Sequence, residues 1–113
     1  IEETLWLAEG DGRIVACIFA KPHPQNPPDL YFGRLGVLPA YQRQGLARHL
    51  IEVVEGQAAR GQGFQRVVLA VRIALPQNVR YFQSLGYEIT GTGTHKGYEE
   101  PTFFTMAKGV ERG

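Results

Sequence analysis

The residues with the clearest chemical potential lie in segment 35–47, between a predicted strand and a predicted helix. A helix N-terminus presents unpaired N–H groups and the positive end of the helix dipole, and together these bind anions. Gly45 and the small Ala47 would let a bulky anion approach the backbone, and Arg43 could add a cationic donor fork. The arrangement would suit a pyrophosphate, although a glycine near a helix start can equally serve packing alone.

Two familiar phosphate-binding patterns are missing from this segment. It lacks the Gly-Lys-Ser/Thr ending of the nucleoside triphosphate loop, and it lacks the three-glycine dinucleotide fingerprint. Nucleoside triphosphates and nicotinamide cofactors therefore lose support as ligands.

The strand that leads into the candidate anion site is irregular. In segment 30–38 the apolar residues Leu30 and Phe32 share one parity, whereas Leu35 and Val37 share the other. Because side chains alternate between the faces of a strand, this switch predicts either burial on both faces or a bulge near Gly33-Arg34.

A helix and a second strand follow. Apolar residues recur at helical spacing through segment 45–60, which predicts one amphipathic helix. Segment 67–71 is a continuous apolar run, typical of a strand covered on both faces. The order strand, helix, buried strand predicts a βαβ unit with parallel neighbouring strands.

The remaining elements frame this unit. Segments 4–9 and 13–20 predict a hairpin around the turn 10–12, and the proline-rich segment 21–29 predicts a surface loop or linker. A shorter helix is expected over 75–85, and segments 87–92 and 102–107 predict two closing strands. The fold class is therefore α+β, with helices packed on a mixed, mostly antiparallel sheet.

Composition limits the alternatives. The chain has 113 residues and a net charge of +1, which predicts one domain, 1–113, and gives little support to nucleic-acid binding. The one cysteine, Cys17, cannot form an internal disulfide, and three histidines in three elements show no ligand spacing, so no metal site is expected. Neither a signal peptide nor a membrane-spanning segment is predicted, and we expect a cytoplasmic protein.

Two motifs give the sequence a family resemblance. Gln42, Gly45 and Ala47 match the pattern Gln/Arg-x-x-Gly-x-Gly/Ala, and segment 78–87 ends in an aromatic residue, three residues and Gly-Tyr. These resemble motifs A and B of the GNAT superfamily of N-acetyltransferases, and the order of elements is similar from about residue 4 to residue 107.

The resemblance implies that the chain binds acetyl-coenzyme A between the motif A strand and the next parallel strand. Backbone N–H groups of segment 43–47 would hold the pyrophosphate, and the backbone near Leu35 and Val37 would bond the pantetheine arm and the thioester carbonyl. Asn78 matches a position that contacts the pantetheine arm, although an asparagine near a helix start is equally an N-cap candidate. The complete set of expected cofactor-binding residues is Leu35, Val37, Gln42, Arg43, Gln44, Gly45, Leu46, Ala47, Asn78 and Phe82.

The implied reaction is direct acetyl transfer from the thioester to a neutral primary amine in a ternary complex. The backbone N–H near Val37 could stabilise the oxyanion. Many family members have a general-acid tyrosine where this chain has Phe82, and the adjacent Tyr81 points about 100° away on a helix. The thiolate could leave unassisted or through water, another residue could act, or catalysis could be weak. Since a thiol pKa is about 8.5, we favour unassisted departure.

The acceptor side is less defined by the sequence. Asp29, Tyr31 and Glu99 are candidates for the general base, with a water chain as an alternative, and Tyr31 is the aromatic residue that we expect near substrate. The acceptor would be a small-molecule or protein amine, and a homodimer is possible. A non-catalytic acyl-coenzyme A binding module is the alternative function.

Family members usually begin with a strand and two helices before the hairpin. This chain starts almost directly at the hairpin and has no initiator methionine. The resemblance therefore implies that the first wall of the acceptor site is missing, as in a truncated or incompletely represented chain.

Overall fold

The computed structural model describes residues 3–24, 26–60 and 63–110, with only the backbone of Arg60. Six strands form one sheet in the order β1-β2-β3-β4-β6-β5. The strands are β1 (Thr4–Gly10), β2 (Arg13–His23), β3 (Asn26–Val37), β4 (Arg66–Arg72), β5 (Glu88–Gly93) and β6 (Phe103–Gly109). All described pairings are antiparallel except that of β3 with β4, which is parallel. The predicted mixed, mostly antiparallel sheet and its βαβ unit are confirmed.

Two helices pack on one face of this sheet. Helix α1 (Leu46–Val53) continues as a π-helical segment (Val54–Arg60), and helix α2 is Pro76–Ser84. The sequence predicts one regular helix over 45–60, so the change of winding at Val54 is a correction. Gly86, at φ 99°, ends α2 as its sequence suggests.

The proline-rich segment 21–29 is not a loop, contrary to the sequence prediction. Strand β2 runs to His23 and β3 starts at Asn26, with Pro22 paired to Leu30. Among the described residues the pairing of β1 with β2 ends at Thr4↔Ala20, so no described strand lies beside this part of β2 on that side. Proline is tolerated there because its missing N–H can face the open edge.

Within the described part of the chain, strand β4 is buried on one face only, which corrects the prediction that its apolar run is covered on both faces. Val67, Leu69 and Val71 are buried under the helices, whereas Ala70 on the opposite face is exposed. We call this second side, which carries Phe19, Tyr31 and Ala70, the open face of the sheet. The apolar run did not reveal this difference, because the residues on the uncovered face, Val68 and Ala70, are apolar as well.

The core between sheet and helices contains a buried polar network. The Tyr87 hydroxyl donates to Glu55 Oε2 at 2.7 Å, and Lys108 Nζ lies 3.3 Å from both Glu55 carboxylate oxygens. Burial first, and then the hydrogen bond to Glu55, raises the pKa of Tyr87. The network ties the π-helical segment to the start of β5 and to β6.

Candidate functional site

A cleft opens where β3 and β4 separate. Their pairing covers three residue pairs, from Asp29↔Arg66 to Tyr31↔Val68. Arg66 clamps the paired end with two bonds to the Asp29 carboxylate, Nε to Oδ1 at 3.1 Å and Nη2 to Oδ2 at 2.7 Å. Hydrogen bonding from Arg66 is the main reason that the pKa of Asp29 is lowered. Asp29 is therefore a structural anchor outside the cleft lining, and its candidacy as a general base is wrong.

The separation coincides with the predicted bulge in β3. Between the pairs Phe19↔Gly33 and Cys17↔Gly36, β3 has one more residue than β2. Arg34 occupies this irregular position with a φ of 51°, which is uncommon for a residue with a side chain. The bulge explains the change of apolar phase along the strand, because the extra residue shifts the face on which later side chains lie.

Beyond the bulge, the Val37 backbone points toward the cleft. The Leu38 N–H donates to Val15 O at 2.9 Å, so Leu38 faces β2. Since hydrogen-bonded and non-bonded pairs alternate in an antiparallel ladder, the Val37 N–H faces the other side, where β4 has separated. The Val37 carbonyl accepts a bond from Gln42 Nε2 at 3.0 Å. Gln42 thus braces the turn between β3 and α1.

The N-terminus of α1 has the geometry of an anion site. Its first backbone bond runs from the His49 N–H to Gly45 O at 2.9 Å, which leaves the N–H groups of Leu46 and Ala47 without partners inside the helix. Gly45 has a φ of 83° and no atom within 4 Å of where a Cβ would stand, and Arg43 has a φ of 64°. The backbone is therefore open to a ligand at this point.

The loop before α1 is anchored to the first hairpin. The Tyr41 hydroxyl donates to the carboxylate of Asp11 in the β1–β2 turn, and the Arg13 guanidinium lies 5.9 Å from the centre of the Tyr41 ring. Tyr41 is the last residue of a short 3-10 turn, Pro39–Tyr41. These contacts tie the loop to the β1–β2 hairpin.

The cleft has a volume of about 1030 Å³, at the upper end of the roughly 300–1,000 Å³ usual for ligand sites. Of the fourteen residues singled out as site candidates, all but Asp29, Gln44 and Glu99 line it. The eleven are Tyr31, Leu35, Val37, Gln42, Arg43, Gly45, Leu46, Ala47, Asn78, Tyr81 and Phe82. The structure therefore brings both sequence motifs to one cavity.

Helix α2 supplies the aromatic wall of this cleft. Phe82 is half-buried, with ring centroids 6.2 Å from Phe32 and 5.9 Å from Tyr87. Tyr81 lines the same cleft, although it neighbours Phe82 on the helix, and the two rings lie 5.4 Å apart. Asn78 lies inside the first turn rather than at the N-cap, which is Leu75, so the capping alternative for Asn78 is wrong.

Among the candidate bases, only Tyr31 lines the cleft. Its ring packs edge-on against Phe19 at 6.2 Å on the open face of the sheet. Glu99 lies in the exposed connection between β5 and β6 and is not part of the lining. In the described part of the chain, no three His, Cys, Asp or Glu side chains lie close enough together to hold a metal ion.

Sequence reasoning missed several lining residues. Arg34, Arg48 and Arg72 bring the arginines of the cleft to four, counted with Arg43. Arg48 could have been found, because it lies three residues after Gly45 and hence beside the same helix terminus. Arg34 and Arg72 carry no local signal, since only the separation of β3 and β4 brings them to one cavity.

Comparison with known proteins identifies relatives over most of the chain. The sequence model of the "Acetyltransferase (GNAT) family" matches residues 2–87. N-acetyltransferase 8 of Rattus norvegicus is 35% identical over 89 residues, covering 76% of this chain and 40% of the relative. Probable N-acetyltransferase 14 of Xenopus tropicalis is 28% identical over 98 residues, covering 86% of this chain and 47% of the relative. The chain thus spans less than half the length of these curated relatives.

Solved structures share the fold. The diaminobutyrate acetyltransferase EctA of Paenibacillus lautus, solved with L-2,4-diaminobutyric acid and coenzyme A, has a TM-score of 0.74 at 24% identity, covering 94% of this chain and 69% of that one. Chaetomium thermophilum Naa20, solved with a bisubstrate analogue, has a TM-score of 0.78 at 22% identity, covering 94% and 65%. In the described residues, no helix is long and apolar enough to cross a membrane.

Proposed function

Because this chain belongs to the GNAT acetyltransferase family, we propose that it is an acyltransferase that moves an acetyl group from acetyl-coenzyme A to a primary amine. The observation that carries the proposal is the open N-terminus of α1, which faces a cleft lined by four arginines. Such a terminus is suited to the pyrophosphate of coenzyme A.

The residues present fit this cosubstrate. Backbone N–H groups of Arg43, Gln44, Gly45, Leu46 and Ala47 would hold the pyrophosphate, and the guanidinium groups beside them would neutralise phosphate charge. The difference in burial along α1 supports this assignment. Gly45, at the N-terminus, leaves space for a bulky ligand, whereas Leu50, in the next turn of the helix, is buried in the core.

The strand and α2 would complete the binding site. The backbone of Leu35 and Val37 would bond the pantetheine arm, and Asn78 and Phe82 would contact it from α2. Acetyl-coenzyme A would supply the activated acetyl group, and the chain's own residues would orient it. The Val37 N–H would stabilise charge that develops on the thioester oxygen, a contribution of about 10²–10³ in rate for one such donor in other enzymes.

Proton handling follows from the aromatic wall. Phe82 has no proton to give, so we propose that the thiolate leaves without a side-chain acid, which a thiol pKa of about 8.5 permits near neutral pH. Tyr31 and Tyr81 line the cleft as hydroxyl-bearing residues, and the amine would lose its proton to water, either directly or through the Tyr31 hydroxyl, which would pass its own proton on as it accepts the new one.

The first experiment measures cosubstrate binding. Titration calorimetry should detect acetyl-coenzyme A at micromolar dissociation constants, and Arg43→Gln should weaken binding about tenfold by removing one charged donor. Arg80→Gln is the matched control, because Arg80 is exposed on α2 and lies outside the cleft lining. Absence of micromolar binding to the unaltered protein would refute the proposal.

A non-catalytic acyl-coenzyme A binding module is the second candidate. It is favoured by Phe82 at the position where many family members have an acid, and by a lining without carboxylates. Thiol release from acetyl-coenzyme A across a broad panel of amines separates the two, since sustained turnover excludes a binding module. We expect turnover, and we expect Phe82→Tyr to change its pH profile little if the thiolate leaves unassisted.

A further inference from the structure

The loop that joins β3 to α1, residues 38–45, has an irregular backbone. It contains the 3-10 turn Pro39–Tyr41, followed by Arg43 at a φ of 64° and Gly45 at a φ of 83°. A loop that presents backbone N–H groups to a phosphate binds it best when its backbone is already fixed, because ordering the loop on binding costs free energy. We call residues 38–45 the connecting loop and ask what fixes it.

Two hydrogen bonds join the connecting loop to the β1–β2 hairpin. The Leu38 N–H donates to Val15 O at 2.9 Å, where the loop leaves β3. In the middle of the loop, the Tyr41 hydroxyl donates to Oδ2 of Asp11, which lies in the turn of the hairpin. This second bond is two residues before Arg43, so it is the nearer of the two in sequence to the N–H groups proposed to hold the pyrophosphate.

The hairpin also supports the Tyr41 ring. A Cβ at Gly10 would lie 3.1 Å from Tyr41 Cε1, so the ring packs directly on the hairpin backbone, and the Arg13 guanidinium lies 5.9 Å from the ring centre. Tyr41 is half-buried and lines the cleft, whereas Asp11 is exposed and lies outside the lining. Tyr41 therefore connects a residue outside the cleft to the cleft wall.

The negative charge of Asp11 separates two possible roles. As a charge near an anion site, the carboxylate would oppose the binding of a phosphate by Coulomb repulsion. As the acceptor for the Tyr41 hydroxyl, the same carboxylate would favour binding by holding the connecting loop. The tight turn supports the second role, because φ values of 52° at Asp11 and 77° at Gly12 fix the place from which the carboxylate projects.

Building on the proposed function, we propose that Asp11 is a positioning residue, which acts through the Tyr41 hydroxyl to hold the connecting loop in the conformation that binds the pyrophosphate of acetyl-coenzyme A. Without the bond, only a fraction of the molecules would have the loop in this conformation, and the apparent dissociation constant would rise in inverse proportion to that fraction. Bound acetyl-coenzyme A would restore the conformation, so the rate of acetyl transfer at saturation would stay unchanged.

Two variants at Asp11 remove the same charge and differ in the acceptor. Asp11→Gly removes the bond, whereas Asp11→Asn keeps an oxygen that can accept it, and both residues tolerate the positive φ of the turn. By titration calorimetry, we expect Asp11→Gly to raise the dissociation constant of acetyl-coenzyme A about fivefold, the effect of losing one exposed hydrogen bond. Asp11→Asn should stay within about twofold of the unaltered protein. Unchanged or tighter binding in Asp11→Gly, or equal weakening in the two variants, would overturn the inference.

Tyr41→Phe tests the other end of the bond. It keeps the ring against Gly10 and Arg13 and removes only the hydroxyl, so it should weaken binding about fivefold as well. The Tyr41→Phe/Asp11→Gly protein should bind no more weakly than Tyr41→Phe alone, because both changes remove the same bond. Additive losses would show that the two residues act independently, and would refute the proposal.

Glu9→Gln is the control for charge on the hairpin. Glu9 is an exposed carboxylate at the end of β1 and lies outside the cleft lining. Its replacement should leave the dissociation constant within about twofold of the unaltered value. Weakening equal to that of Asp11→Gly would show that hairpin charge is responsible and that the bond to Tyr41 is not.

Steady-state kinetics separate positioning from catalysis. With an amine that turns over, the KM for acetyl-coenzyme A should rise about fivefold in Asp11→Gly and in Tyr41→Phe, while kcat stays within about twofold. A fall in kcat at unchanged KM would contradict the positioning role.

Hydrogen exchange tests the loop without any ligand, in variants whose thermal unfolding confirms that they are folded. Backbone amides of residues 42–47 should exchange faster in Tyr41→Phe than in the unaltered protein, and equal rates would overturn the inference. Failure of the unaltered protein to bind acetyl-coenzyme A would instead remove the proposed function. Normal binding, with affinity and exchange unchanged in the variants, would leave that function intact and remove only the role of Asp11.

Discussion

The buried network of Tyr87, Glu55 and Lys108 permits a quantitative prediction about stability. Tyr87 is 1% exposed and Glu55 8%, and their hydrogen bond is 2.7 Å long. A bond to a charged group contributes about 1.5–3 kcal/mol. Tyr87→Phe keeps the ring in its aromatic cluster and removes only the hydroxyl. We therefore expect the free energy of unfolding to fall by about 2 kcal/mol.

A double-mutant cycle tests whether the carboxylate charge is the cause. Glu55→Gln keeps the size of the side chain and an oxygen that can accept the bond from Tyr87, but it loses the ion pair with Lys108. That ion pair contributes about 1 kcal/mol or less, because the Lys108 side chain is 32% exposed. The Tyr87→Phe/Glu55→Gln protein should lose about 1 kcal/mol less than the sum of the single losses. Urea denaturation followed by circular dichroism measures each value.

The control for this cycle is Tyr98→Phe. Tyr98 is 61% exposed, so losing its hydroxyl should change the free energy of unfolding by less than about 0.5 kcal/mol. A Tyr87→Phe effect no larger than that of the control, or additivity within about 0.5 kcal/mol in the cycle, would refute the reasoning.

Alkaline pH provides an independent measurement. The raised pKa of Tyr87 means that the folded protein keeps a proton that the unfolded chain releases above about pH 10. The contribution of the Tyr87 hydroxyl to the free energy of unfolding is fully present below that pH. It falls by about 1.4 kcal/mol per pH unit as the pH rises further. Above about pH 10, the plot of the free energy of unfolding against pH should be shallower by this amount in Tyr87→Phe than in the unaltered protein. Equal slopes would contradict the assignment of the raised pKa to Tyr87.

Two further changes test the packing around the cleft. Asp29→Asn should lower the free energy of unfolding by about 1–2 kcal/mol at neutral pH, because the bonds from Arg66 lose their charged acceptor. Since the pKa of Asp29 is lowered, the unaltered protein should lose this stability as pH falls below about 4, and in urea titrations at pH 3 and pH 7 the variant should change less. Gly93→Ala would place a Cβ against the Phe103 ring at a distance that real contacts do not show, which predicts a loss of about 1–3 kcal/mol by thermal or urea unfolding. Gly109→Ala meets no atom within 4 Å and serves as its control, so equal losses in the two variants would show that the ring contact is not responsible.

Local sequence patterns predicted the framework of the site. The phase change around Gly33 predicted the bulge, and the helical spacing after Gly45 predicted the position of the helix terminus. Both are properties of consecutive residues, and steric rules for strands and helices are enough to interpret them. The placement of Asn78 and Phe82 of α2 in the same cleft was implied by the family resemblance and not by a local pattern.

Other features depend on partners distant in the chain. Asp29 looked like a solvated candidate base because its partner, Arg66, lies 37 residues away. Pro22 looked like a loop residue because nothing nearby indicates that β1 stops short of it. Arg72 carries no signal until the gap beside β4 is known. Tertiary pairing decides each of these, and a single sequence gives no direct view of it.

The three-pair contact between β3 and β4 also divides the sheet into two halves. On one side, β1, β2 and β3 form an antiparallel meander, and on the other, β4, β6 and β5 form a second antiparallel unit. Within each half, mostly short connections join the strands. The pairing of β3 with β4, which joins the two halves, requires the long crossover connection through α1. Local strand pairings form quickly and non-local ones slowly. The β3–β4 pairing should therefore form last during folding, and it should be the first part of the sheet to open in local fluctuations of the native protein. The cleft therefore lies at the junction of two cooperative units, where small relative movements would change its width.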